Sequence, residues 1–143
     1  MEWDKDFALR RFLIAQEHIF TDVLAELRAG KKQSHWMWFV FPQVEGLGKT
    51  MISMKYSIES IEEAEEYMLH PVLGFRLITC AELVCAHNDK TAEDIFGLVD
   101  AKKLCSSMTL FANLEGSNPV FQLLLDWFFA KDCEYTKNFL FGD

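Results

Sequence analysis

Ser34, His35 and Gln43 frame a run holding Trp36, Trp38, Phe39 and Phe41, and Gly46 and Gly48 follow it closely. These residue types could build a site for a nucleotide-like small molecule. An indole face stacks on a base, glycine-loop amides hold a phosphate, and an imidazole serves as general acid or base near neutral pH. Tyr56, Lys103, Ser106 and Ser107 add polar groups that could converge on the same hollow, giving the mixture of apolar wall and few polar contacts that ligand pockets use. The candidate set is therefore Ser34, His35, Trp36, Trp38, Gln43, Gly46, Gly48, Tyr56, Lys103, Ser106 and Ser107, with His35 the candidate catalytic group. Cleavage of a glycosidic bond would more naturally use a carboxylate, for which Glu17 and Glu45 are candidates. The same run also has a purely structural reading, because aromatic side chains bury roughly 150–250 Å² each and four of them could anchor a small core.

Other chemistries fit less well. Gly46-Leu-Gly-Lys-Thr50 ends like a phosphate-binding loop of nucleoside triphosphatases, but the motif needs glycine where Gln43 stands and a strand before it. Cys80, Cys85, Cys105 and Cys133 form no Cys-x-x-Cys pair, and no histidine stands at zinc-ligand spacing, so no metal or cofactor is implied. Cys105 has no base near it in sequence, and the serines lack the strand-turn-helix elbow of a nucleophile. The acidic cluster Glu62, Glu63, Glu65, Glu66 reads as a solvated helix face.

At 143 residues the chain fits one domain, and 50% hydrophobic residues with 13 phenylalanines argue for a packed core. Net charge is −8, unevenly placed: residues 1–55 carry 8 of the 14 Lys/Arg and 7 of the 22 Asp/Glu. An acidic chain with no basic stripe disfavours nucleic acid, although a small anion could bind near Lys31, Lys32 and Lys49. The absence of a leader-like segment and of an apolar run of about 18 residues predicts a cytoplasmic protein with reduced thiols and no membrane partner.

The elements that must position these residues read as helices. Apolar residues from Phe7 to Leu27 recur at threes and fours, with a break where Thr21-Asp22 could cap a second segment and Gly30 as the stop. Gln16 falls among apolar neighbours, so it either faces solvent or hydrogen-bonds inside the core, and the desolvation cost of an amide favours the first. Lys31 and Lys32 are placed to meet the carbonyls at the helix end. Residues 35–41 are apolar on every face and read as a short buried helix ended by Pro42. Residues 50–58 read as one helical turn and a connector. Ser60-Ile-Glu-Glu63 is a capping box in which Glu63 returns a bond to the Ser60 amide, opening a helix to Leu69. Pro71 begins another with His70 as its cap. Thr91 caps a short helix closed by Gly97, and Asp100 opens the next. There Ser106, Ser107 and Thr109 either face water or line a polar cleft beside Lys103. Asn118-Pro119 starts a helix whose stripe is Phe121, Leu124, Leu125 and Phe128, widened by Trp127 and Phe129. Tyr135 to Leu140 docks the C-terminus. The sum is an all-α single domain, residues 1–143, of about seven helices around an aromatic core.

Ala15-Gln16, Ala25 to Lys32, Ser34 to Gln43, Gly46-Leu47-Gly48, Tyr56-Ser57-Ile58, Glu63-Ala64, His70 to Gly74, Ile95-Phe96-Gly97 and Lys103 to Phe111 resemble, in the same order, a bacterial family catalogued as a domain of unknown function, number 1810, whose members are sometimes labelled calpastatin. The resemblance spans nearly the whole chain and implies a small all-helical domain. It brings no established activity. The order of the Ala-Gln helix, the Glu-Ala helix and the Lys-bearing helix is also similar to the helical family that hydrolyses N-glycosidic bonds in riboflavin precursors and acts on ADP-ribose-like compounds. Two functions are therefore expected in competition: binding or hydrolysis of a nucleotide-like small molecule in a cleft built on residues 34–48, or a protein-interaction module in which the aromatic run is only core.

Overall fold

A computed structural model describes the backbone of residues 5–142 and the side chains from Ala8 to Gly142. Among the described residues there are nine helices and no sheet. They are α1 (Lys5–Glu17), α2 (Phe20–Ala29), α3 (Met37–Val40), α4 (Met51–Lys55), α5 (Ile61–Leu69), α6 (Leu73–Cys85), α7 (Ala92–Ala112), α8 (Pro119–Phe128) and α9 (Glu134–Phe141). Helix α7 is two helices joined at Gly97, whose φ of 81° and ψ of 165° break the ladder. That conformation is open essentially to glycine alone. No single described helix is long and apolar enough to cross a membrane.

Helices α7 and α8 pack on each other, α6 on α8 and α5, and α9 on α7. An aromatic chain runs through this body. Phe39 touches Tyr56 at 5.2 Å, Tyr56 touches Phe12, Phe12 meets Tyr67 edge-on at 5.0 Å, and Tyr67, Phe111 and Phe121 continue it. A second group joins Trp36, Phe41 and Phe96 at 6.0–6.3 Å. These separations are those of favourable offset and edge-to-face ring pairs. The short α3 segment supplies both groups, with Trp36 and Phe41 on one side and Phe39 on the other.

Two polar side chains fix α3. Gln16 is buried, against the expectation that it faces solvent. Its Nε2 donates to the Phe39 carbonyl (2.6 Å) and to the Tyr67 hydroxyl (3.0 Å), while its Oε1 accepts from Arg76 (3.2 Å). Desolvation is offset because the amide has partners at both ends.

Glu26 holds the approach to α3. Its carboxylate accepts from the amides of Gln33 (2.6 Å) and Ser34 (2.9 Å), from the Trp36 indole (3.0 Å) and from the Ser34 hydroxyl. Burial alone would raise its pKa, but these four donors outweigh that and lower it from 4.5 to about 2. A carboxylate held below its unfolded value stabilises fully above pH 4.5, and that contribution is lost as pH falls towards 2. Urea-unfolding midpoints should therefore drop more steeply across this window in the native chain than in Glu26→Gln. Parallel curves would remove the assignment.

The local sequence signals hold in part. Gly30 ends α2 with φ of 72°, but α2 starts at Phe20, and Thr21 and Asp22 do not cap it. Lys31 and Lys32 were expected at the α2 carbonyls. At that end His87 bonds to Leu27 O (2.7 Å), and Lys90 donates to the carbonyl of Gly30, the capping residue. Lys32 turns away to Ser34 O and pairs with Asp100 (2.8 Å). The Ser60 hydroxyl accepts from the Glu63 amide (3.0 Å), as a capping box requires, yet Glu63 returns its bond to Glu59 N (2.9 Å) and pairs with Arg11. Thr91 and Asp94 form the complete box. Helix α6 begins at Leu73, two residues after Pro71, with His70 Nδ1 accepting from the amides of Val72 and Leu73. Trp127 lies outside the α8 stripe and is half exposed.

Candidate functional site

Past α3 the chain turns through Phe41 and Pro42 into residues 43–48, where one backbone pairing organises everything that follows. Val44 and Ile58 form a parallel bridge. Ile58 N donates to Gln43 O (2.8 Å) and Glu45 N donates to Ile58 O (3.0 Å). Arg11 braces the other side, donating to Lys55 O (2.7 Å), Ser57 O (3.0 Å) and Glu63 (3.1 Å).

Between these segments, α4 and the start of α9 lies a cavity of about 430 Å³. Its walls include Trp38, Tyr56, Tyr135 and Met54, with Gln43, Glu45, Ser53 and Glu59 as polar side chains and Gly46 and Gly48 in its loop. The volume is within the roughly 300–1,000 Å³ of small-molecule pockets. The glycines make the walls possible. A Cβ on Gly48 would fall 2.6 Å from Ser53 and 2.9 Å from the Trp38 ring, and one on Gly46 would fall 2.0 Å from the Tyr135 hydroxyl. Tyr135 itself donates to the Glu45 carbonyl (3.1 Å), fastening α9 to the loop.

Gln43 is the unusual member. It is only 4% exposed, and its Nε2 has no partner among the described residues. A buried amide donor left without an acceptor costs roughly 1–3 kcal/mol. Ser107 Oγ and Thr136 Oγ1 share that condition, but neither lines this cavity.

Of the candidates from the sequence, Trp38, Gln43, Gly46, Gly48 and Tyr56 come together here. Lys103 adjoins them through Trp38, its ammonium 4.1 Å from the ring centroid, and is itself paired with Asp100 (3.1 Å). The others lie elsewhere. Ser34 is bonded to Glu26, and His35 is exposed and outside the cavity lining. Trp36 is 1% exposed and packed in the core, so its ring is not a cavity wall. Glu17 is exposed at the end of α1, away from the cavity, whereas Glu45 lines it.

Ser106, Ser107 and Thr109 neither face water nor share a cleft with Lys103. All three are buried. Ser106 Oγ donates to Lys102 O (3.1 Å) and meets Cys133 Sγ (3.3 Å), and Thr109 Oγ1 accepts from Cys133 N (3.0 Å). Ser106 and Thr109 thereby seat the start of α9 on α7. Ser106 does line a separate cleft with Cys105, Cys133 and Phe129. Burial, aided by Cys133, pushes the Cys105 thiol up to about 11, which makes it a poor nucleophile at neutral pH. Burial likewise raises Cys80 to about 12 and Cys85 to about 11. Glu59 and Tyr135 were missed. Glu59 carried no motif of its own, and Tyr135 is brought in from 87 residues beyond Gly48 in the chain by the docking of α9.

The family model described as Protein of unknown function (DUF1810) matches residues 6–140. The chain belongs to this family. Among solved structures, the conserved hypothetical protein Rv1873 from Mycobacterium tuberculosis is 46% identical, with a TM-score of 0.88, covering 91% of this chain and 94% of its own. A search of curated proteins found no match. The resemblance read from the Ser34–Gln43 and Lys103–Phe111 blocks thus holds for the DUF1810 family, and the all-helical fold it implied is the observed one.

Proposed function

We propose that the cavity of this DUF1810 protein binds a nucleoside-like small molecule. The observation that carries the reading is the Gln43 amide, buried in the cavity wall with a donor that no described residue satisfies. A ligand carbonyl or ring nitrogen would satisfy it once the amide turns its sealed nitrogen towards the cavity. Trp38, Tyr56 and Tyr135 offer ring surface against which a planar base can lie, and such stacking tolerates many bases. Glu45 and Glu59 are carboxylates able to accept from ribose hydroxyls. If an N-glycosidic bond is cleaved here, they are the available acid and base; His35 is not in the lining.

The test is a thermal-shift screen over nucleosides, nucleotides, ADP-ribose, NAD and flavin precursors, repeated on Gln43→Leu. A ligand at about a hundred times its dissociation constant stabilises by roughly 2.7 kcal/mol, and loss of one hydrogen bond to a buried amide should weaken binding about tenfold or more. A flat response across the panel favours the interaction module. A response equal in the native chain and Gln43→Leu removes Gln43 from the site.

A further inference from the structure

We infer that the cavity is selective for a cationic heterocycle over a phosphorylated one, with Glu45 and Glu59 setting that selectivity; this rests on the reading that the cavity binds a nucleoside-like ligand. The argument starts from register. Val44 and Ile58 are bridged in parallel and both buried, at 2% and 0% exposure. Side chains alternate along extended chain, so the next residue on each segment, Glu45 and Glu59, turns to the opposite side. Paired extended segments lie roughly 4.7–4.9 Å apart, so the two carboxylates start from neighbouring backbone positions. Both are exposed and both line the cavity. Like charges placed side by side repel, and a bound cation relieves the repulsion.

The rest of the lining agrees. No Lys, Arg or His is among the described lining residues. Of the ammonium groups that adjoin it, Lys103 is paired with Asp100 and lies over the Trp38 ring, and Lys55 lies over the Tyr56 ring at 5.3 Å. Aromatic walls attract cations through the ring quadrupole. The unpartnered Gln43 donor adds a demand for an acceptor, which a bare ammonium lacks. The ligand class that meets all of these is a planar heteroaromatic cation bearing a carbonyl or ring-nitrogen acceptor, with or without a sugar. A phosphate would instead confront two carboxylates with no basic residue in the described lining.

Titration calorimetry of the full chain with 1-methylnicotinamide, nicotinamide riboside, adenosine, AMP and ADP-ribose tests this. Nicotinamide riboside or 1-methylnicotinamide should bind at least tenfold more tightly than AMP or ADP-ribose. In Glu45→Gln/Glu59→Gln that preference should shrink about tenfold; each single substitution should give part of the loss and serves if the double variant does not fold. AMP or ADP-ribose binding as tightly as the cations overturns the selectivity while leaving the cavity a ligand site. So does an unchanged preference in the folded double variant. Binding of adenosine alone also overturns it, and silence from all five probes overturns both this inference and the binding reading beneath it.

Discussion

Trp36→Ala should destabilise the protein by about 4 kcal/mol, within the roughly 3–5 kcal/mol seen for large aromatic deletions in cores. Trp36 is 1% exposed and packs against Phe41 and Phe96, with Lys32 5.1 Å from its ring centroid. Its indole also donates to Glu26, so truncation both opens a cavity and removes one of the donors that hold the loop into α3. The expected fall in Tm is on the order of 10 °C. Trp38→Ala, at a half-buried ring on the cavity wall, should cost much less stability and instead weaken ligand binding. Had Trp36 been the stacking wall, the two substitutions would trade effects. Thermal unfolding with and without adenosine separates them.

Gln16→Leu should cost roughly 2–3 kcal/mol despite nearly conserving volume. The substitution leaves the Phe39 carbonyl, the Tyr67 hydroxyl and Arg76 without their shared partner, and each buried polar group so stranded costs about 1–3 kcal/mol before neighbours readjust. The Tyr67 hydroxyl already lies 3.5 Å from Phe39 O and can close part of the gap, which keeps the loss below the simple sum. Tyr67 is fully buried, and burial raises its pKa far above the usual tyrosine range, so it remains a neutral donor. Urea denaturation measures the loss. A change below about 0.5 kcal/mol would mean that the amide is dispensable and that α3 is held by its rings alone.

What the sequence revealed depended on how far apart the interacting groups lie along the chain. Thr91, Asn118 with Pro119, and Gly30 act within one helical turn, and all were legible from spacing, although the partner of Thr91, Asp94, was not. Gln16 was misread because its partners, Phe39, Tyr67 and Arg76, are 23 to 60 residues away, and an amide among apolar neighbours looks costly until they are known. The fold of residues 34–48 was half visible. The aromatic run marked a buried helix, but which indole faces the cavity depends on a four-residue helix whose apolar composition hides its own orientation. The parallel bridge between Val44 and Ile58 leaves no periodic trace in so short a pairing, so Glu59 could not be placed beside Glu45. Ser106 and Thr109 read as water-facing or lining a polar cleft because the residue seated on them, Cys133, lies at the start of the final helix, 24 or more residues on.

The most direct test follows the side-chain amide of Gln43 and the indole N–H groups by ¹⁵N–¹H correlation spectra while adenosine or nicotinamide riboside is added. The Gln43 and Trp38 signals should move together and saturate with one dissociation constant, while the Trp36 indole stays where it is. A Gln43 signal that remains unmoved at saturation, with the shifts gathered on another face of the molecule, would contradict the assignment of this cavity as the binding site.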